Sequence, residues 1–339
     1  MTVRIFITGA TGYIGGTVLT SLLEEHKGKY EIKALVRDMD RARKLSEVGV
    51  EPILGSLDNW QTLSKAASEA DVVINAADVD HLGAVRALAE GLSKRGPLAN
   101  GQPPILLHTS GTGVLLDHAQ GRYASPKVYR DTVMKDIHSL PPEQMHRTVD
   151  MAVFDAGRSG KVTTTIICPP LIYGLGTGPF NRHSQQLPMM ILAATKKGKA
   201  VFIGKGANIW SNVHVKDLAD GYLLLLDKLL DGTAPVNDEG YYFCENGEHT
   251  WRWLAYEIAR SLYTSAEVGD GRPHPVSDDE VVDVFGTAMA WQVLGGNSRS
   301  RAEKLRNLGW SPKCHSLAET VDPEVRSVLT EQVKRAIEK

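Results

Sequence analysis

The sequence predicts an α/β protein: a doubly wound parallel sheet carrying a smaller mixed α/β lobe built largely from the C-terminal part. Three observations predict it. Strand and helix signals alternate through the first half of the chain. The strands are almost wholly apolar, as strands covered by helices on both faces must be. A turn with glycine at every third position joins the first strand to the first helix, at the very start of the alternation.

The elements follow in order. Residues 3–7 form a short apolar strand, and residues 13–25 a helix with Ile14, Val18 and Leu22 on one face. Strands over 31–36, 50–54, 72–75 and 105–108 are separated by helices over 40–48, 60–67 and 81–94. Right-handed crossovers close such an order into a doubly wound sheet. The alternation breaks over 111–142, a polar stretch with Gly111, Gly113, Gly121, Pro126, Pro141 and Pro142. Loops of this length inside a compact domain are functional or mobile. A helix from about 143 to 154 leads into a sixth strand at 162–168. The second half is more mixed. Helices are expected over 184–197, 216–228 and 301–308, and Thr250 caps another that runs to residue 263. Short strands are expected at 201–203, 212–215 and 241–244. Ser277 and Glu280 have the spacing of a capping box. There is no internal repeat and no low-complexity tract.

Composition narrows the function classes. Of 339 residues, 42% are hydrophobic and 23% charged, an ordinary globular balance that argues against disorder. Lys and Arg number 38 against 40 Asp and Glu, without a block of like charge, so a nucleic-acid surface has no electrostatic support. The longest apolar runs fall far short of the roughly 20 residues a bilayer needs, so no membrane span is expected. The chain opens directly on a strand pattern, and no signal peptide is expected. Cys168, Cys244 and Cys314 match no metal-ligand spacing and suit a reducing compartment, so a cytoplasmic protein without a metal is expected.

The motif with the most chemical content is Thr8-Gly9-Ala10-Thr11-Gly12-Tyr13-Ile14-Gly15. Gly9 permits the tight turn, Gly12 lets backbone approach a pyrophosphate, and Gly15 lets helix and strand pack closely. The helix that follows offers free N–H groups and its positive dipole end to phosphate. The second strand decides between dinucleotides. A ribose 2′-hydroxyl calls for a carboxylate, and a 2′-phosphate for arginine. Val36 stands where the acid belongs and Arg37 follows, with Arg41, Arg43 and Lys44 nearby. This predicts NADP(H) as the cofactor.

These residues resemble the extended and atypical short-chain dehydrogenase/reductases. Gly55-Ser56-Leu57-Asp58 is similar to the segment whose Asp contacts adenine. Asn75-Ala76-Ala77 is similar to the turn lying against the cofactor. His108-Thr109-Ser110-Gly111-Thr112 resembles the segment bearing the catalytic serine, and Pro169-Pro170-Leu171-Ile172-Tyr173-Gly174 the loop beside the nicotinamide. Asn212-Val213-His214-Val215-Lys216-Asp217-Leu218-Ala219 and Leu308-Gly309-Trp310-Ser311-Pro312 resemble later signatures. The resemblance spans nearly the whole chain. It implies a Rossmann core over 1–175 and 207–235, with a substrate lobe over 176–206 and 236–339. It also implies a cofactor site at Gly9, Thr11, Gly12, Tyr13, Ile14, Gly15, Arg37, Asp58, Ala76, Ala77, Thr109 and Pro169.

The family's chemistry uses Tyr-x-x-x-Lys, which puts both side chains on one helix face, beside a serine on the same substrate oxygen. Ser110 fits the serine. Tyr123-Ala124-Ser125-Pro126-Lys127 matches the pair formally, but Pro126 is incompatible with an established helix interior. By position the family's helix falls over 143–154, which carries His146 and Arg147 and no tyrosine. Tyr123 with Lys127, or His146 with Arg147, therefore carries the proton in the leading expectation: an NADP(H)-dependent oxidoreductase reducing a small carbonyl, imine or activated alkene. Two other readings stand beside it. One is a non-catalytic dinucleotide sensor resembling the nitrogen-metabolite-repression regulators, which would address a protein partner. The other is redox-neutral epimerase or dehydratase chemistry. A homodimer fits the family. Each residue also has a plainer reading. His146 and Asp150, one helical turn apart, fit a surface pair. His214 fits a structural histidine. Trp210, Trp251, Trp253 and Trp291 fit core packing or a substrate pocket. Gly174, Gly176 and Gly178 fit a lid or plain turns.

Overall fold

The computed structural model describes residues 2–25, 28–266 and 268–337. The first half runs β1 (Val3–Thr8), α1 (Tyr13–Glu25), β2 (Tyr30–Val36), α2 (Met39–Glu47), β3 (Glu51–Leu54), α3 (Trp60–Ser68), β4 (Val72–Asn75), α4 (Leu82–Arg95) and β5 (Ile105–Thr109). The stretch read as one long loop holds β6 (Tyr129–Arg130) and α5 (Met134–His138). After it come α6 (Arg147–Arg158), β7 (Thr163–Cys168), β8 (Leu171–Tyr173), α7 (Gln186–Lys197), β9 (Val201–Ile203), β10 (Ile209–His214) and α8 (Val215–Leu230). The chain continues through β11 (Tyr241–Phe243), β12 (Glu248–Thr250), α9 (Trp251–Ala266), β13 (His274–Val276), α10 (Val281–Phe285) and α11 (Ala290–Val293). It closes on β14 (Ser300–Arg301), α12 (Glu303–Asn307) and α13 (Leu317–Ile337).

Seven parallel strands make the central sheet, in the order β11-β7-β5-β4-β1-β2-β3. The order reverses at β1, which pairs with β2 on one side and β4 on the other. A crevice opens at the carboxyl ends of strands on either side of such a switch point, and ligands bind there in open α/β sheets. The apolar strand runs explain the burial. Ile5, Ile7, Val72, Ile74, Ile105 and Leu107 join one core with α1, α6 and α8, while Phe6, Val73 and Leu106 face another with α3 and α4. Alternate residues of one strand thus serve opposite cores, as the strand period demands.

A separate apolar core holds the second lobe. It gathers Leu187, Met190 and Ile191 of α7, Trp251, Leu254 and Ile258 of α9, and Val321 and Val325 of α13 around Trp210 and Tyr173. β11 pairs with β7 at the edge of the main sheet. Ala302, Leu305 and Trp310 pack in the main core. Residues within 236–339 therefore build both cores, because a chain returning to the sheet edge satisfies β7's open backbone groups. The helix expected from about 143 also differs: α6 starts at Arg147. Pro141 and Pro142 open a turn, and His146 takes a left-handed conformation with φ 68° before the helix begins. No helix of the described residues is long and apolar enough to cross a membrane.

Candidate functional site

The glycine-rich turn has the geometry its sequence requires. Gly9 has φ 82°, and a Cβ there would lie 2.3 Å from the Ala76 carbonyl oxygen and 2.7 Å from the Ala77 nitrogen. Only glycine lets the turn after β1 lie flat against the turn after β4. A Cβ on Gly15 would meet the Gly9 oxygen at 2.3 Å, so the helix packs directly on the turn. Gly12 is different: its Cβ would meet only the Gly9 oxygen, at 3.1 Å, and otherwise faces open space. Tight on two sides and open on the third, the turn leaves its outer backbone free for an anion at the start of α1.

Beside the turn, Thr8 Oγ1 donates to Asn75 Oδ1 (2.5 Å), and the Asn75 amide donates to His108 Nδ1 (2.9 Å). This buried chain ties together the carboxyl ends of β1, β4 and β5. Burial, with His146 nearby, pushes His108 down to about 3, so its ring is neutral. The hydroxyl of Thr109 turns away and bonds Tyr222 of α8 (2.5 Å). Pro169 is buried, and its carbonyl accepts from the Thr112 N–H (3.0 Å), which docks the loop after β7 onto the turn after β5. Ile14 packs partly buried on the main core.

A strap over residues 174–182 crosses this turn. Tyr13 donates its hydroxyl to the Gly174 carbonyl (2.5 Å), and Asn181 N–H reaches the Thr11 carbonyl (3.5 Å). Gly178 lies against Gly16. The Gly174 N–H is held in turn by Glu324 of α13, a buried side chain that burial pushes up to about 7. That carboxyl makes a pH prediction. Below pH ~4.5 it is protonated in both the folded and unfolded chain. Between ~4.5 and about 7 the unfolded chain releases the proton while the folded chain keeps it, so stability falls as pH rises. The cost above pH 7 is about 3 kcal/mol. Thermal melts of Glu324→Gln from pH 5 to 8 should fall less steeply than those of the wild type. Parallel curves would assign the slope elsewhere.

At the second strand, Arg37 is exposed. Asp38 caps α2 by accepting from the Arg41 N–H (2.9 Å) and pairs with the Arg41 guanidinium (3.4 Å). The acid after Arg37 is thus already engaged, and Arg37 has no acid partner among the described residues. Asp58 lies exposed after β3 and accepts from His81 Nε2 (3.1 Å), whose Nδ1 caps α4.

The candidate proton donors separate clearly. Tyr123 is 51% exposed, and its segment has no regular secondary structure and is tied to residues 295–299. Ser125 N–H donates to Asn297, and Arg299 donates to the Ser125 carbonyl. With no helix there, the four-residue spacing does not align the side chains. Lys127 instead pairs with Asp136 and lies 4.9 Å from the Tyr129 ring centroid. The structure therefore does not bring Tyr123 and Lys127 together with Ser110. His146 does lie near Ser110. Its Nδ1 contacts Asp80 Oδ1 (2.9 Å), and its Nε2 edge packs over Gly111 and Gly113, where a Cβ would approach to 3.3 and 3.0 Å. The partner of His146 is thus Asp80 and not Asp150.

Asp150 is fully buried and accepts from the Tyr241 hydroxyl (3.2 Å). Burial pushes its carboxyl up to about 7, against the pull of Ser110, Arg147 and Tyr241. Arg147 is also buried, and donates to the His138 carbonyl (3.2 Å) beside the Phe154 ring. Ser110 Oγ is buried against Asp150, Tyr241 and Cys168 without a well-formed hydrogen bond to any of them. A buried hydroxyl in that state has capacity for one more partner. His214 caps α8 by accepting from the Lys216 N–H (3.1 Å), the structural role. Trp210 and Trp251 pack edge to face in the lobe core. Sequence reasoning missed Asp80 and Glu324. For Asp80 there was a signal, an acid in the loop at the carboxyl end of a switch-point strand. Glu324 gave none, because its burial depends on a helix the sequence reading did not foresee.

Comparison with known proteins follows from this geometry. Residues 1–92 match a family model described as NmrA-like, and residues 144–237 match one described as the NAD dependent epimerase/dehydratase family. The chain is 32% identical over 337 residues to oxidase ucsJ of an Acremonium species, covering 92% of this chain and 93% of that one. It is 28% identical over 314 residues to 4-hydroxy-2-methyl-3-oxo-4-farnesyl-3,4-dihydroquinoline-1-oxide ketoreductase of Stigmatella aurantiaca, covering 89% and 85%. Among solved structures, UDP-glucose 4-epimerase of Thermotoga maritima superposes with a TM-score of 0.66 at 15% identity, covering 97% of this chain and 99% of that one.

Proposed function

Because the chain belongs to the extended short-chain dehydrogenase/reductase family, in an atypical branch, we propose that it is an NADP(H)-dependent oxidoreductase that reduces a small carbonyl, imine or activated alkene. The observation that carries this reading is a titratable imidazole, His146, packed over the Gly111–Gly113 turn immediately after Ser110. That is where the family's serine and proton donor meet the substrate. The names of the relatives, an oxidase and a ketoreductase, support oxidoreductase chemistry.

The residues present fit a dinucleotide. The cradle of Gly9, Gly12 and Gly15 leaves an open outer face. In this reading Thr11, Tyr13, Ile14 and the Ala76–Ala77 turn frame it, and Asp58, Thr109 and Pro169 lie at the edges of the site. A bound NADPH would supply the hydride that reaches the substrate carbon. Ser110 Oγ donates to the substrate oxygen. Protonated His146 delivers the proton to that oxygen from Nε2, becomes neutral, and regains a proton from solvent. Arg37 meets the 2′-phosphate. The free thiols Cys168, Cys244 and Cys314 suit the reducing cytoplasm we assign to it.

Calorimetric titration with NADPH, NADP+ and NADH tests the reading. NADPH should bind more tightly than NADH, and Arg37→Ala should cut that ratio roughly 10- to 100-fold, the loss of one charge-assisted contact. An unchanged ratio would remove Arg37 from the site, and failure of all three dinucleotides to bind would remove the function. The match of residues 1–92 to the NmrA-like model favours a second reading, a non-catalytic redox sensor. A sensor would bind the oxidised and reduced forms very differently and turn over no carbonyl substrate.

A further inference from the structure

We propose that Asp80 is the positioning residue for His146. It holds the Nδ1–H of the ring, so that Nε2 is the nitrogen that gives and takes the proton. The inference rests on the reading of His146 as the proton donor. The bond itself joins Asp80 Oδ1 to His146 Nδ1 across 2.9 Å and 66 positions of sequence. Each end is anchored independently. The Asp80 N–H donates to Asp78 Oδ1 (3.0 Å), and the Asp80 carbonyl accepts from the Leu82 N–H (3.0 Å), which fixes the loop that opens α4. His146 sits in the left-handed region with φ 68°, a conformation unfavourable for a residue with a Cβ. Strain of this kind persists where surrounding structure imposes it, and it gathers at functional sites.

A surface ion pair would be the plain alternative, worth little. The geometry argues against it. The histidine side chain is only 14% exposed, while the aspartate, at 57%, stands at the rim. Among the described charged and titratable residues, Asp80 reaches the ring from the loop after β4 and His108 interacts with it from β5, while Arg147 and Asp150 follow it on α6. Of these only Asp80 bonds the ring. Asp150 bonds Tyr241 through Oδ2, and His108 Nδ1 bonds Asn75.

The test is nitrogen-15 NMR of the histidine rings in the full-length protein, with no cofactor present. In the wild type, neutral His146 should carry its proton on Nδ1. Asp80→Ala should make that tautomer the minority form. Asp80→Asn should keep it, since the amide oxygen still accepts from Nδ1, and Asp80→Glu should restore most of it. Asp80→Ala should also slow NADPH-linked reduction of phenanthrenequinone, a general dicarbonyl probe, on the order of 10- to 100-fold. An unchanged tautomer in Asp80→Ala, or equal loss in Asp80→Ala and Asp80→Asn, overturns the proposal. Calorimetry keeps the two readings apart. NADPH binding with an unchanged tautomer rejects the dyad alone, and the expected tautomer shift without NADPH binding rejects the reductase reading alone.

Discussion

His146→Gln should lower NADPH-linked turnover by roughly 10²- to 10⁴-fold, the usual contribution of a positioned general acid. Melting temperature and NADPH affinity should stay close to those of the wild type. Glutamine has a similar reach, and its amide N–H can still donate to Asp80, so the loop after β4 remains anchored. What it lacks is a proton to give. Under the proposed mechanism, in which its Oγ donates to the substrate oxygen, Ser110→Ala should also slow turnover. The contrast lies in Tyr123→Phe and Lys127→Ala. Tyr123 is exposed on an irregular loop, and Lys127 is committed to Asp136. Both variants should keep wild-type rates. Rate measurements that reverse this pattern, with His146→Gln active and Tyr123→Phe dead, would hand proton transfer back to the loop pair.

That contrast also shows what could be read from sequence. The parallel sheet was legible because its strands are buried on both faces and read as apolar runs, and β4 falls on the same residues as expected. The glycine turn was legible because three glycines at fixed spacing leave few conformations. The pairing of Asp80 with His146 was not. Its partners sit on separate elements, and no spacing rule connects residues joined only by the closing of a sheet. The Tyr-x-x-x-Lys string at 123–127 shows the converse. A motif defined by helical spacing carries meaning only on a helix, and here the segment is irregular and tied to Asn297 and Arg299. β11 was legible as a strand, but its place at the edge of the main sheet was not, because an apolar run of three residues does not name its neighbour.

Replacement of Gly9 by alanine should have the largest effect on the dinucleotide site, and comparison with Gly12→Ala separates fold from ligand. In Gly9→Ala two costs combine. The backbone at φ 82° is unfavourable for alanine by about 1 kcal/mol. The new methyl would also lie 2.3 Å from the Ala76 oxygen and 2.4 Å from its carbon, both backbone atoms that move only if the turn after β4 moves. Together these should cost about 2–4 kcal/mol of stability and more than 100-fold in NADPH affinity, because the phosphate cradle and the Ala76–Ala77 wall part company. Gly12→Ala is the discriminating partner. Its φ is not in the left-handed region, and its methyl meets only the Gly9 oxygen, at 3.1 Å, so the fold should lose less than about 1 kcal/mol. That methyl projects from the open face of the turn, where a pyrophosphate would lie. Its signature is therefore weakened NADPH binding at nearly unchanged melting temperature. If Gly12→Ala binds NADPH as tightly as the wild type, the open face is not where the phosphates sit. The turn would then be a packing device between β1, α1 and β4, and the case for a dinucleotide would have to rest on Arg37 alone.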